Sequence, residues 1–180
     1  MILKNYVLYF ILIPLSSQYC KLSVDINKNI ESENYPVKNL CIISPKANFI
    51  LAYNRTMKFE GYYANDKKDR GGETYKGIAR NFHNSWEGWK LIDSCKVSDL
   101  FPKNLLKIYD LEKSVQKFYR KEYWDKIRGD EIISQEIAND LFDSCVNIGL
   151  WEGIKLFQKV LNVPRTGIID ERTLRAINNK

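Results

Sequence analysis

The sequence predicts a mainly α-helical domain of the α+β class, helical with one small β-hairpin element. Three observations carry that expectation. Apolar residues recur at helical spacing in several stretches, turn formers crowd into one place, and capping residues stand where the apolar periods begin and end. Of 180 residues, 44% are hydrophobic and 13% aromatic, enough for one core of ordinary domain size.

The N-terminal stretch MILKNYVLYFILIPLSSQYC has Lys4, an apolar run from Tyr6 to Leu15 and a small-residue exit at Ser16 and Ser17. This is the pattern of a secretory signal peptide over residues 1–19, with cleavage expected between Ser17 and Lys21. The run falls well short of the roughly 20 residues of a spanning helix, so no stable membrane span is expected after processing. Tyr19 is too bulky for lipoprotein processing at Cys20. Residues 20–45, rich in Asn and charge with Pro36 and Pro45, form a linker, and the folded part begins after Pro45.

From Phe49 to Phe59, Ile50, Tyr53 and Met57 share one helical face, and Glu60 is the next position on it. Gly61, Asn65, Asp66, Gly71 and Gly72 then cluster too densely for a helix. The stretch ETYKGI that follows is short and β-compatible, so a hairpin comes next, with Gly71, Gly72 and Gly77 as its turn residues. Ser98 to Tyr123 is mostly helical, with Leu111, Val115, Phe118 and Glu122 in register and an interruption near Pro102. Ser134 starts a helix that carries Glu136 at its positive end and stops at Gly149. A further amphipathic helix runs through Trp151, Ile154, Phe157 and Leu161. Pro164 and Gly167 punctuate the last connection, and Asp170 opens a terminal helix through Leu174 and Ile177.

Lys and Arg number 28 against 22 Asp and Glu, a net charge of +6, which favours polyanionic partners. Basic and acidic residues are interspersed, which argues against a nucleic-acid groove. Cys20, Cys41, Cys95 and Cys145 fit neither a disulfide framework nor a zinc spacing. Cys145 falls on the apolar spacing Ile137, Leu141, Cys145, Ile148 and belongs in the core. NDKKDRGGETYKG puts Lys or Arg at the ligand offsets of a calcium loop and lacks its closing glutamate. No metal and no cofactor is expected, and the protein is expected to be a monomer.

The stretch FEGYYANDKKDRGGETYKGI holds the chemistry. A glutamate on the apolar side of a helix is costly to ionise, so burial would keep Glu60 protonated, as a general acid requires. Asp66 and Asp69 lie on the hydrated turn side and stay ionised. Two carboxyl environments pushed apart in this way suit glycoside hydrolysis, in which one acid protonates the leaving oxygen and an ionised partner serves the water or the cationic centre. The alternative is that Glu60 ends a helix and pairs with Lys58 or Lys67.

The pattern EGYY followed by N-D-x-x-D-x-G-G-x-T-x-x-G-I from Asn65 to Ile78 resembles the lysozyme-like muramidases of glycoside hydrolase family 108, also called secretion activator proteins. YRKEYWD at 119–125 and LFDSCVNIG at 141–149 are similar to further segments of that family. The tail LFQKVLNVPRTGIIDERTL is similar to the peptidoglycan-binding region that accompanies it. The resemblance covers residues 47–177. It implies a lysozyme-like fold with a catalytic region at 46–125 and a helical peptidoglycan-binding region at 126–180 packed on the same core. It also implies cleavage of the β-1,4 bond between N-acetylmuramic acid and N-acetylglucosamine, with Glu60 as the catalytic glutamate. The sequence departs from the family at Tyr62, where a second glycine is usual, at Lys67 and Arg70, where prolines are frequent, and at Asp170, where a glycine is typical.

Eight residues separate Glu60 from Asp69, and Thr74 follows, an arrangement similar to that of phage-type lysozymes, though one residue shorter before the threonine. There the Asp and Thr hold the attacking water, which makes Asp69 and Thr74 catalytic candidates; Thr74 is equally a plain strand residue. Asp66, Tyr63, Trp86, Asp143 and Asn147 are substrate-binding candidates. Trp86 and Trp89 either stack on sugar or fill the core. Asp143 and Asn147, at i and i+4, either line a cleft or form a solvated face. The expected partner is peptidoglycan and the expected location secreted or periplasmic. A non-catalytic wall-binding or secretion-assisting protein and a lytic transglycosylase are the alternatives.

Overall fold

Asn48 opens the first helix, α1 (Phe49–Met57), by accepting the backbone N–H groups of Ile50 and Leu51, which satisfies donors that a helix start leaves orphaned. The computed structural model describes residues 46–58, 62–66 and 68–180, all within one compact unit. The expected signal peptide, the linker and Glu60 lie outside these residues. α1 buries Phe49, Ala52, Tyr53 and Thr56. Ile50, expected on the inward face, is 43% exposed. Phe49 takes the core instead, because its ring meets Tyr53, Trp124 and Phe142.

After α1 comes an antiparallel sheet of β1 (Tyr63–Asn65), β2 (Glu73–Tyr75) and β3 (Ile78–Ala79), in that order. Tyr63 faces Tyr75 in register, and Tyr75 faces Ile78. Between β2 and β3, Lys76 and Gly77 both adopt positive φ, 44° and 79°, as a two-residue hairpin turn matched to strand twist demands. The third strand exceeds the single hairpin expected. It forms because Ile78 is fully buried and draws its strand onto the core.

α2 (Gly88–Cys95) was not expected from the sequence. It is short, opens on a glycine, and no side chain caps its start, so the local signals for a helix are absent. Gly88 is required there because Trp86 lies over it: a Cβ would fall 2.3 Å from the indole. The long helix expected between 98 and 123 is divided. A 3₁₀ turn (Lys103–Lys107) follows Pro102, and α3 (Tyr109–Tyr119) continues into a π-helical turn (Arg120–Trp124). The π turn shifts the register so that Trp124 enters the core completely, its indole N–H donating to Asp130 Oδ1 at 2.8 Å.

α4 (Gln135–Ile148) is capped by Ser134, which accepts the Ile137 N–H, and ends at Gly149 with φ 94°. It runs alongside α1 in the same direction, tied by the Asn48 N–H to Gln135 Oε1 (2.7 Å) at one end and Thr56 Oγ1 to Asp143 Oδ1 (3.0 Å) near the other. α5 (Leu150–Val160) approaches α4 so closely that a Cβ on Gly153 would lie 2.7 Å from the Cys145 Cα. Gly153, Ile154 and Gln158 face inward, while Trp151 is 58% exposed, contrary to the expected stripe. Asp170 caps α6 (Glu171–Asn178) by accepting the Thr173 N–H. The buried Gln158 holds the α5–α6 connection, accepting the Gly167 N–H and donating to the Ile168 carbonyl, both at 2.9 Å. Phe49, Tyr75, Ile92, Leu111, Phe142, Ile154 and Ile177 belong to one apolar cluster, so the C-terminal helices share the core of the sheet and α1. Among the described residues, no helix is long and apolar enough to cross a membrane.

Candidate active site

The loop between β1 and β2 is built from two carboxylates that close turns on their own backbone. Asp66 Oδ1 accepts the Lys68 N–H and Asp69 Oδ1 accepts the Gly71 N–H, each at 2.9 Å. Backbone bonds from the Asp69 N–H to the Asp66 carbonyl and from the Gly72 N–H to the Asp69 carbonyl tighten the same bend. Both aspartates are exposed. Gly71 is buried between Asp69 and the sheet: a Cβ there would sit 2.9 Å from Ala79 Cβ, 3.5 Å from Asp69 Oδ1 and 3.7 Å from Thr74 Oγ1. The Asp69 carboxylate and the Thr74 hydroxyl therefore flank one glycine.

Gly72 has φ +64°, and a Cβ on it would meet the Asn81 side chain at 2.9 Å. Asn81 anchors the loop from outside, donating from Nδ2 to the Arg70 carbonyl and from its N–H to the Gly71 carbonyl. Thr74 pairs with Ala64 on one side and Ala79 on the other, so its neighbours across the strands are short. Its hydroxyl donates to the Gly72 carbonyl at 3.2 Å.

The remaining candidates lie elsewhere. Tyr63 donates its phenol to Glu73 Oε1 at 3.0 Å and packs its ring edge-on against Phe101. Trp86 is half-buried, stacked on Tyr75 and edge-on to Trp89, with its indole N–H donated to the Ser114 carbonyl. It also lines a cavity of about 290 Å³. Trp89 is buried and donates to the His83 carbonyl. Asp143 accepts from Thr56 on α1, and Asn147 donates to Asp143 Oδ2 at 3.0 Å; the pair is joined to α1 and is not gathered with the β1–β2 loop by any of these bonds. Gly77 serves the β2–β3 turn.

Sequence reasoning passed over Glu73, the one acidic residue among those described that is buried, at 8% exposed. Alternation along ETY could have found it, since it places Glu73 and Tyr75 on the inward face and Thr74 on the other. Burial opposes ionisation of Glu73, but hydrogen bonds from Lys96, Arg80 and Tyr63 outweigh it and hold the carboxyl below its ordinary 4.5. Arg80 also pairs with Asp93, which Lys96 joins, so Asp93 is pushed down as well. Glu112 follows the same pattern. Its burial is outweighed by Lys76 and the Tyr53 hydroxyl, and it too is lowered. These groups hold negative charge firmly; neither Glu73 nor Glu112 is suited to donate a proton.

The sequence profile of glycosyl hydrolase 108 matches residues 53–149, from within α1 to the end of α4. Among solved structures, the chain is similar to SagA of Brucella abortus, with 26% identity and a TM-score of 0.51, covering 73% of this chain and 69% of that one. Comparison with curated proteins gives no match. The helical body with its small sheet is the lysozyme-like α+β fold that the resemblance implied. Since the profile takes in more than half of the 180 residues, motif loop and sheet included, the chain belongs to the glycosyl hydrolase 108 family.

Proposed function

We propose that this glycoside hydrolase is a peptidoglycan hydrolase, an N-acetylmuramidase that cleaves the β-1,4 bond between N-acetylmuramic acid and N-acetylglucosamine in the cell envelope. Glu60 is the general acid. It donates a proton to the glycosidic oxygen as the bond from that oxygen to the anomeric carbon breaks. Water then adds to the cationic carbon and gives up its proton to a carboxylate. Asp69 and Thr74 position that water. The observation that carries this is the convergence of the Asp69 carboxylate and the Thr74 hydroxyl on Gly71. Glu73 and Glu112, held ionised by cations, do not suit the acid role. Residues 126–180 contribute wall binding from the same core, and export by the N-terminal segment delivers the enzyme outside the cytoplasm.

The test is release of reducing muropeptides by purified Glu60→Gln with its melting temperature recorded alongside. A loss of at least about a hundredfold in rate with the fold retained is expected, in the range that general acid catalysis supplies. Near-normal release from the folded variant would remove Glu60 from the reaction. A 1,6-anhydro product from the parent enzyme would replace hydrolysis by transglycosylation.

A further inference from the structure

Beside the motif loop, the chain leaves β3 and turns at Asn81, whose side chain grips the Arg70 carbonyl. The next two residues, Phe82 and His83, form one wall of the cavity of about 290 Å³; Trp86, Ser114, Phe118 and Glu122 are among those completing it. That volume is at the lower end for small-molecule sites. Phe82 is 63% exposed, a large apolar ring left at the rim. Inside, His83 meets Phe118 edge-on at 4.8 Å and Trp86 meets Phe118 at 6.3 Å, a wall of aromatic edges and faces. Ser114 is 5% exposed, and its hydroxyl has no hydrogen-bond partner among the described residues. A buried hydroxyl without a partner weakens the fold and calls for an explanation.

We propose that this cavity is a subsite for one N-acetylated amino-sugar ring of the glycan, a reading that rests on the glycoside hydrolase function above. A sugar ring is amphipathic. Its C–H face suits Phe82 and Trp86, and its hydroxyl and acetamido groups suit the polar members of the wall. Ser114 provides a hydroxyl that has no partner among the described residues. Phe82 in its wall directly follows Asn81, whose side chain anchors the β1–β2 loop, so adjacent residues join the subsite to that loop.

The experiment measures binding of tetra-N-acetylchitotetraose by calorimetry to Glu60→Gln and to Glu60→Gln carrying Phe82→Ala or Ser114→Ala, with melting temperatures of the unliganded proteins. Phe82→Ala is expected to raise the dissociation constant about tenfold. Ser114→Ala is expected to raise it about fivefold while leaving the unliganded melting temperature unchanged or higher, because it deletes an unpaired buried hydroxyl. Unchanged binding in both variants, no binding to the parent, or a lowered melting temperature in Ser114→Ala would overturn the subsite. Turnover of peptidoglycan by the otherwise unaltered enzyme separates the two claims. Cleavage with unaltered cavity binding removes only the subsite, whereas variant-sensitive binding without cleavage removes the muramidase activity and keeps the subsite.

Discussion

Between Tyr63 and Ala79 the strands are only three, three and two residues long, and they give the core Tyr75 and Ile78. Their shape is held by turns, by glycines without room for a Cβ, and by Glu73 clasped between Arg80 and Lys96. The helical body of α1, α3, α4, α5 and α6 is held differently. There Phe49, Trp124 and Phe142 meet ring to ring at about 6 Å, 5.7 to 6.0 Å apart, and Leu111, Leu141 and Ile154 fill the space between helices. The difference lies in what holds each region in place. The helices supply the bulk of the apolar burial, which scales with area, and the sheet is left to polar and steric devices that fix a loop in detail while contributing less to stability.

The largest expected effect comes from the helical side. Deleting residues 151–180 removes Ile154, Ile169, Leu174 and Ile177 from the shared cluster and should abolish cooperative melting altogether. A truncated protein that still melts in one transition near the full-length temperature would make the C-terminal helices a separable module.

A smaller loss is expected from Glu73→Gln, which takes the charged acceptor from Arg80 and Lys96 and should cost about 2 kcal/mol in chemical denaturation. The sign with pH follows from the lowered folded-state value. Glu73 stabilises the fold fully above its ordinary 4.5, and this contribution is lost as the pH falls through the lower folded value. Melting temperature should thus fall less on acidification below about pH 4.5 in Glu73→Gln than in the parent. Equal falls would show that the sheet does not depend on this ion cluster.

The smallest change in stability is expected from Gly72→Ala. With φ +64° and Asn81 in the way, an alanine should cost about 1 kcal/mol. It should reduce peptidoglycan turnover out of proportion, by moving Asp69 and Thr74 apart. Full activity in the destabilised variant would detach the loop geometry from the chemistry.

By itself the sequence determined the punctuation of this protein: Ser134 and Asp170 as caps, Gly149 as a stop, Gly77 in a turn and the motif that marks the family. Each depends on groups a few residues apart in the chain, so the local pattern suffices. Tertiary structure alone decided which faces turn inward. Phe49 displaced Ile50 because Trp124 and Phe142 arrive from far along the chain to meet it. Helix α2 forms without a capping side chain because Trp89 and Ile92 are buried. Thr74 and Asp69 converge only because Gly71 lies against Ala79 of another strand. Glu73 can be buried because Arg80, seven residues on, and Lys96, from beyond the end of α2, close over it. Burial is a property of what packs against a residue, and a periodic stripe of apolar residues does not name its partner.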